Sequence, residues 1–175
     1  MTIIKAKRAT VEFCPGVTVD GYMLPNGEFR VGVTGASRAV GYSKQWLSQV
    51  HTRNGKTLKD LHLKGFTGSR SEVSVDRDGV SGSSKTSTIS LSDFRELIKY
   101  AAIVGQKSQA LGILDALLDI GIEDYFRLSF GVNQMTLEEK RAKFYQTYAA
   151  TINWLEEDRE DFNLIEAQQR FLKAV

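Results

Sequence analysis

The chain predicts an α+β fold: a β-hairpin plus a helix-turn-helix and short strands, followed by a helical C-terminal half. Three observations carry this. Alternating segments flank the turn triplet Pro25-Asn26-Gly27, where Pro presets φ and Asn-Gly accepts φ > 0. Residues 33–53 read as two short helices about a break at Gly41-Tyr42. From Ser92 onward the apolar residues recur at the 3.6-residue period of helices. The organisation that follows is an α+β unit over 1–131 and a C-terminal helical pair over 132–175 that packs or oligomerises.

Residues 1–13 are β-branched enough for a strand, which Cys14-Pro15-Gly16 breaks. Val17–Leu24 and Glu28–Val33 then form the hairpin around the Pro-Asn-Gly turn. Thr34 and Ser43 stand where hydroxyls can cap two helices. Ala36, Val40, Leu47 and Val50 make an inner face, with Trp46 expected in the core beneath it. Asn54-Gly55-Lys56 ends the second helix with a glycine signal. A short helical turn at 57–63, a Gly-flanked basic loop at 65–70 and a strand at 71–75 follow. Residues 76–87 are polar and Gly/Ser-rich and predict a mobile loop or hairpin tip, before a short strand at 88–91.

Ser92 is placed to cap a helix running to about Val104. Residues 108–119 form a strongly apolar helix whose Ala110, Leu111, Ile113, Leu114, Leu117 and Leu118 are expected at the centre of the core. Residues 123–128 continue that helix or make a third short one. Thr136 and Glu139 form a capping box that starts a helix reaching about Arg159, striped by Phe144, Tyr148, Ile152 and Leu155. Asp161-Phe162 is a weak break before a last helix over 164–174.

Composition narrows the function classes. No apolar run nears the roughly 18 residues of a membrane span, and no signal-peptide pattern follows Met1, so a soluble cytoplasmic protein is expected. One cysteine, Cys14, allows no internal disulfide, and with two histidines it makes no four-ligand zinc site within one chain. Residues 1–85 hold 13 Lys/Arg against 7 Asp/Glu, whereas 86–175 hold 10 against 14. A basic half joined to an acidic helical half points the first half toward a polyanion.

The candidate DNA-contacting residues lie in and around the second helix. Lys44, Gln45, Ser48, Gln49 and Arg53 fall outside its inner face. Gln can read adenine bidentately, Arg or Lys can read guanine, and Ser serves bases or phosphate. Arg38, Lys56, Lys59, Lys64 and Arg70 would hold phosphates beside it. No catalytic residues are assigned and no cofactor or metal is expected. His51 and His62 have no Asp/Glu/Cys cluster at ligand spacing. Asp76-Arg77-Asp78-Gly79 begins like a calcium loop but lacks the closing Glu. Gly32-Val33-Thr34-Gly35 lies between strand and helix without a phosphate-loop motif. Asp93, Glu96 and Lys99 share a helix face, a spacing that suits either a metal-dependent nuclease or a surface salt bridge.

The order of these elements resembles the BRO-N/KilA-N type of DNA-binding domain of phage and viral antirepressors, over roughly 20–131. The similarity is carried by Ala36-Ser37-Arg38-Ala39-Val40-Gly41-Tyr42-Ser43-Lys44-Gln45-Trp46-Leu47 and by Thr88-Ile89-Ser90-Leu91. It is greater to uncharacterised cyanobacterial and phage-like proteins with a G-N-K-x-A-L-x-L helix and an E-x-x-x-R-x-x-x-x-F-G ending. Here these stand as Gly105-Gln106-Lys107-Ser108-Gln109-Ala110-Leu111 and Glu123–Gly131, with Gln106 in place of Asn. The resemblance implies double-stranded DNA as partner, bound by a homodimer, with no catalytic residues to carry over. A regulatory protein bound by the helical half is the other implied partner, as some antirepressors work that way.

Overall fold

The computed structural model describes residues 3–53, 55–76 and 83–174, with side-chain detail for all of these except 76 and 158–174. Six strands make one sheet: β1 (Ile4–Lys5), β2 (Lys7–Cys14), β3 (Val17–Met23), β4 (Phe29–Gly32), β5 (Arg70–Asp76) and β6 (Ser83–Ser90). Their order is β1-β5-β6-β4-β3-β2. The two end strands are one stretch of chain interrupted only at Ala6, so the sheet curls until its edges meet. Ile4 pairs in parallel with Val73 on one side, and Lys7 through Cys14 pair antiparallel with β3 on the other. The fold is α+β, as the alternation and periodicity predict.

The expected hairpin is β3–β4. Gly27 turns it with φ +85, a conformation that favours glycine, and Asn26 Oδ1 accepts from the Glu28 N–H at 3.0 Å. Strand alternation sorts side chains between two faces. Tyr22, Leu24, Val73 and Ala6 fill the inside of the curl. Val19, Val31 and Ile89 face outward and carry the main core together with the helices.

The described residues also form six helices: α1 (Val33–Ala39), α2 (Trp46–Arg53), α3 (Gly55–Leu63), α4 (Leu91–Ile103), α5 (Ser108–Ser129) and α6 (Leu137–Ala174). Several boundaries differ from expectation, each for a local reason. Thr34 does not cap α1: the helix starts straight from β4, Gly32 is the N-cap residue and no side chain bonds there. Ser43 lies a turn ahead of α2, where its carbonyl accepts from the Trp46 N–H. α2 ends at Arg53, as the glycine signal predicts, but Gly55 also opens α3, so the short turn expected at 57–63 belongs to a nine-residue helix. Residues 83–87 are strand, because they pair with Glu72–Asp76; the rest of the expected loop, 77–82, lies outside the described residues, as does most of the Asp76–Gly79 turn. Ser90, not Ser92, caps α4, its Oγ accepting from the Asp93 N–H at 3.0 Å.

From Ser108 onward the helical half is two long antiparallel helices, and residues 123–128 continue the first of them. α5 runs 22 residues without a break. α6 is a single helix of 38 residues, so no break falls at Asp161-Phe162. The Thr136–Glu139 capping box starts it, with reciprocal bonds of 2.7 and 3.2 Å. Its stripe enters the main core at Phe144, which stacks on Phe13 of β2 at 5.4 Å between ring centroids. The segment after 131 is therefore part of the same core. Of the residues expected at its centre, Ala110 and Ile113 are fully buried. Leu111 and Leu114 are half-buried, while Leu117 and Leu118 are exposed. Only one side of α5 meets α4 and α6, so a helix apolar on several sides leaves part of its surface uncovered.

Candidate nucleic-acid interface

α1, α2 and α3 project from the end of β4 as three short helices in succession. What locks the first two is Ser37. It lies on the inner face of α1 at helical spacing from Val33 and Val40, and it is fully buried. Its Oγ donates to the Val33 carbonyl at 3.0 Å and accepts from the Leu47 N–H at 3.3 Å. A first-turn N–H of α2, which has no partner within its own helix, is thereby satisfied by the neighbouring helix. Ala36, Val40, Leu47 and Val50 are buried around this bond, as the spacing predicts.

Trp46 is half-buried against the core. It stacks flat on Tyr42, with ring centroids 3.8 Å apart, and tilts against Tyr100 of α4. Lys107, at the start of α5, sits over the other part of this cluster, its Nζ 4.9 Å from the Tyr42 ring centroid. Burial raises the Tyr42 hydroxyl pKa, so it stays neutral. The turn that carries Lys44 and Gln45 is thus held by aromatic packing on its apolar side.

The predicted contact residues are placed consistently, with one exception. Arg38, Lys44, Gln45, Ser48, Gln49, Arg53, Lys56, Lys59 and Lys64 are all exposed. Lys44 and Gln45 belong to the turn leading into α2, Ser48, Gln49 and Arg53 to α2 itself, and Lys56 and Lys59 to α3; Lys64 follows it. Between positions 33 and 70 the only acidic residue is Asp60. Arg70 differs. It is half-buried and its Nη2 donates to the Leu47 carbonyl at 2.9 Å, so it braces α2 rather than standing free for phosphate. Burial lowers its pKa, yet a guanidinium keeps its charge at neutral pH.

The loop between α3 and β5 is fastened at three points. Asp93, fully buried, accepts from the Thr67 N–H at 2.7 Å and from the Thr67 hydroxyl at 2.9 Å. The buried Arg30 bonds Thr88 Oγ1 at 2.9 Å, Glu28 at 2.6 Å and the Ser69 carbonyl at 3.3 Å. His62 Nδ1 lies 2.7 Å from the Phe66 carbonyl, which gives that histidine a structural partner. His51 is exposed.

These bonds also account for the carboxylates considered for a nuclease. Both Asp93 oxygens are taken by Thr67. Glu96 is buried between Arg95 and Lys99, each at 2.9 Å. The Lys99 bond, then the Arg95 bond, hold its carboxyl below the usual range against the effect of burial. Among the described residues no group of His, Cys, Asp or Glu is gathered as metal ligands. Cys14 is buried and burial raises its thiol pKa, which keeps it protonated.

Sequence reasoning missed Ser37, Arg30 and Asp93 as organisers of this region. For Ser37 a signal existed: a small polar residue at an apolar-face position of a short helix. For Arg30 and Asp93 the partners lie 58 and 26 residues away, and no local pattern points to them. Comparison with protein-family models, curated proteins and solved structures finds no match. Among the described residues no helix is long and apolar enough to cross a membrane.

Proposed function

We propose that the chain is a non-enzymatic, sequence-specific DNA-binding protein, a transcriptional regulator or phage-type antirepressor acting as a homodimer. One observation carries this reading. Six cations and the polar readers Gln45, Ser48 and Gln49 are exposed on three consecutive short helices and the turns beside them, where the single acid is Asp60. The turn before α2 and its first exposed residues supply base contacts, as the N-terminal part of a reading helix does. Arg53 stands with these readers, Arg38, Lys56, Lys59 and Lys64 hold phosphates, and the Ser37, Arg70 and Asp93 bonds keep the surface in shape.

Fluorescence anisotropy with duplex DNA tests it. If all six cations meet phosphates, log K falls against log salt with a slope of up to about −5 per protomer. Lys56→Ala with Lys59→Ala reduces that slope by about 2 and weakens all sequences alike. Gln45→Ala and Gln49→Ala relax sequence preference by about 1–3 kcal/mol per lost base contact. Absence of binding at low salt sinks the reading. A second reading, an adaptor that binds a regulatory protein, is favoured by a different observation, an open apolar groove on the outer face of the sheet.

A further inference from the structure

That groove, about 900 Å³ in volume, opens between the outer face of β2–β4 and helices α4 and α5. Val11 and Phe29 lie on the strand side, Leu91 and Phe94 on α4, and Leu117 and Leu118 on α5. Phe29 is 57% exposed and Leu118 59%, a degree that large apolar side chains rarely keep together without a partner. The charged residues lining the groove are all basic: Lys7, Arg8, Arg30 and Arg95. Arg30 is used inside the sheet and Arg8 pairs with Asp20. Arg95 and Lys99 share the single carboxylate of Glu96, which leaves positive charge at the rim.

An amphipathic helix with an apolar stripe and acidic flanks fits such a groove. The chain's own C-terminal stretch has that chemistry. Positions 156–166 carry six Asp/Glu and one Arg. Phe162, Ile165 and Leu172 recur at the spacing of one helical stripe. The register of α5 against α6 says where this stretch goes. Lys140 pairs with Asp124, Lys143 with Glu123, and Thr151 with Asp115. The antiparallel run brings Ser108, the first residue of α5, opposite position 158. α6 continues to Ala174, about 24 Å further at 1.5 Å per residue. As one unbroken helix it leads away from Leu117 and Leu118 of its own chain.

We propose that this stretch of one copy docks in the groove of a second copy, and the reverse, so that two exchanged α6 ends hold an isologous dimer. The proposal rests on the homodimer part of the preceding reading and supplies its interface. It is tested on the full chain without DNA, by size exclusion with light scattering. The wild-type chain elutes as a dimer. Leu118→Glu and Phe29→Glu, both at exposed positions and checked for folding by circular dichroism, elute as monomers. Phe162→Glu combined with Ile165→Glu, on the docking stripe of the full chain, does the same. A mixture of Phe29→Cys and Ile165→Cys copies forms a disulfide-linked pair on oxidation, which neither variant forms alone. A dimer that survives the paired α6 substitutions or both groove variants overturns the proposal, as does a full chain that stays monomeric at tens of micromolar. Duplex binding is measured on the same samples. A monomer that binds DNA overturns the exchange alone, and a dimer that binds none overturns the DNA reading alone.

Discussion

Ser37→Ala removes the side-chain hydrogen bond that ties α1 to α2. The substituted methyl fits, because the site loses only an oxygen. What remains is the Leu47 N–H, buried and without its acceptor, which costs about 1–3 kcal/mol. Two smaller effects oppose this. The bond from Ser37 to the Val33 carbonyl slightly disfavours a straight helix, and Ala has a better helix propensity than Ser by about 0.5 kcal/mol. The net expectation is a loss of about 1–2 kcal/mol. With a urea m-value of about 2 kcal/mol/M for a chain of this size, the midpoint falls by about 0.5–1 M. Thr34→Ala is the contrast. Thr34 is exposed inside α1 and caps nothing, so this change is neutral or stabilises by up to about 0.5 kcal/mol. Urea unfolding followed by Trp46 and Trp154 fluorescence measures both. An unchanged midpoint for Ser37→Ala, or a larger loss for Thr34→Ala, refutes the assignment of the interhelix bond to Ser37.

Gly112 faces Tyr148, and a Cβ there would lie 2.7 Å from the ring. Gly112→Ala therefore sets about 1–3 kcal/mol of overpacking against about 1 kcal/mol of helix propensity, for a net loss of up to about 2 kcal/mol. In a Tyr148→Ala background the same change stabilises, which a double-mutant cycle detects. Arg70→Met lowers stability by about 1 kcal/mol through the lost bond to the Leu47 carbonyl, yet leaves the salt slope of DNA binding unchanged; a slope reduced by one unit would return Arg70 to the phosphate contacts. The α5–α6 seam is acid-sensitive. Lys143, then Arg127, hold the Glu123 carboxyl below its usual range, and Lys140 does so for Asp124. Their stabilising contribution is complete above the unfolded carboxyl pKa of about 4 and fades as pH falls through the lowered values. Melting temperatures from pH 7 to pH 2.5 show this loss, and Lys140→Met with Lys143→Met flattens it.

Local chemistry made much of this molecule legible in advance. The Pro25-Asn26-Gly27 turn, the hairpin leading into α1, the inner face Ala36, Val40, Leu47 and Val50, and the Thr136–Glu139 capping box all follow from neighbours within about four residues. The exposed cations of α1–α3 were legible for the same reason, since a charge in a short amphipathic helix has one energetically acceptable side. Errors gathered where two local signals compete. Ser90 and Ser92 are both plausible caps, and only the pairing of β6 with β4 up to Ser90 chooses between them. The glycine signal at Gly55 marks the end of α2 and hides that α3 starts at the same residue.

Periodicity and turn chemistry act within one turn or one hairpin, so they show where most of the elements lie. How the elements close on each other depends on contacts between distant residues. The parallel pairing of Ile4 with Val73 curls the sheet, and no pattern in either strand encodes a partner about 70 residues away. The same is true of Asp93 reaching Thr67 and of Arg30 reaching Thr88. Packing also decided which apolar residues stay outside. Leu117 and Leu118 have the hydrophobicity of core residues, but one side of α5 is all that α4 and α6 can cover. The face left over is a property of how many helices the chain places there, which no window of sequence contains.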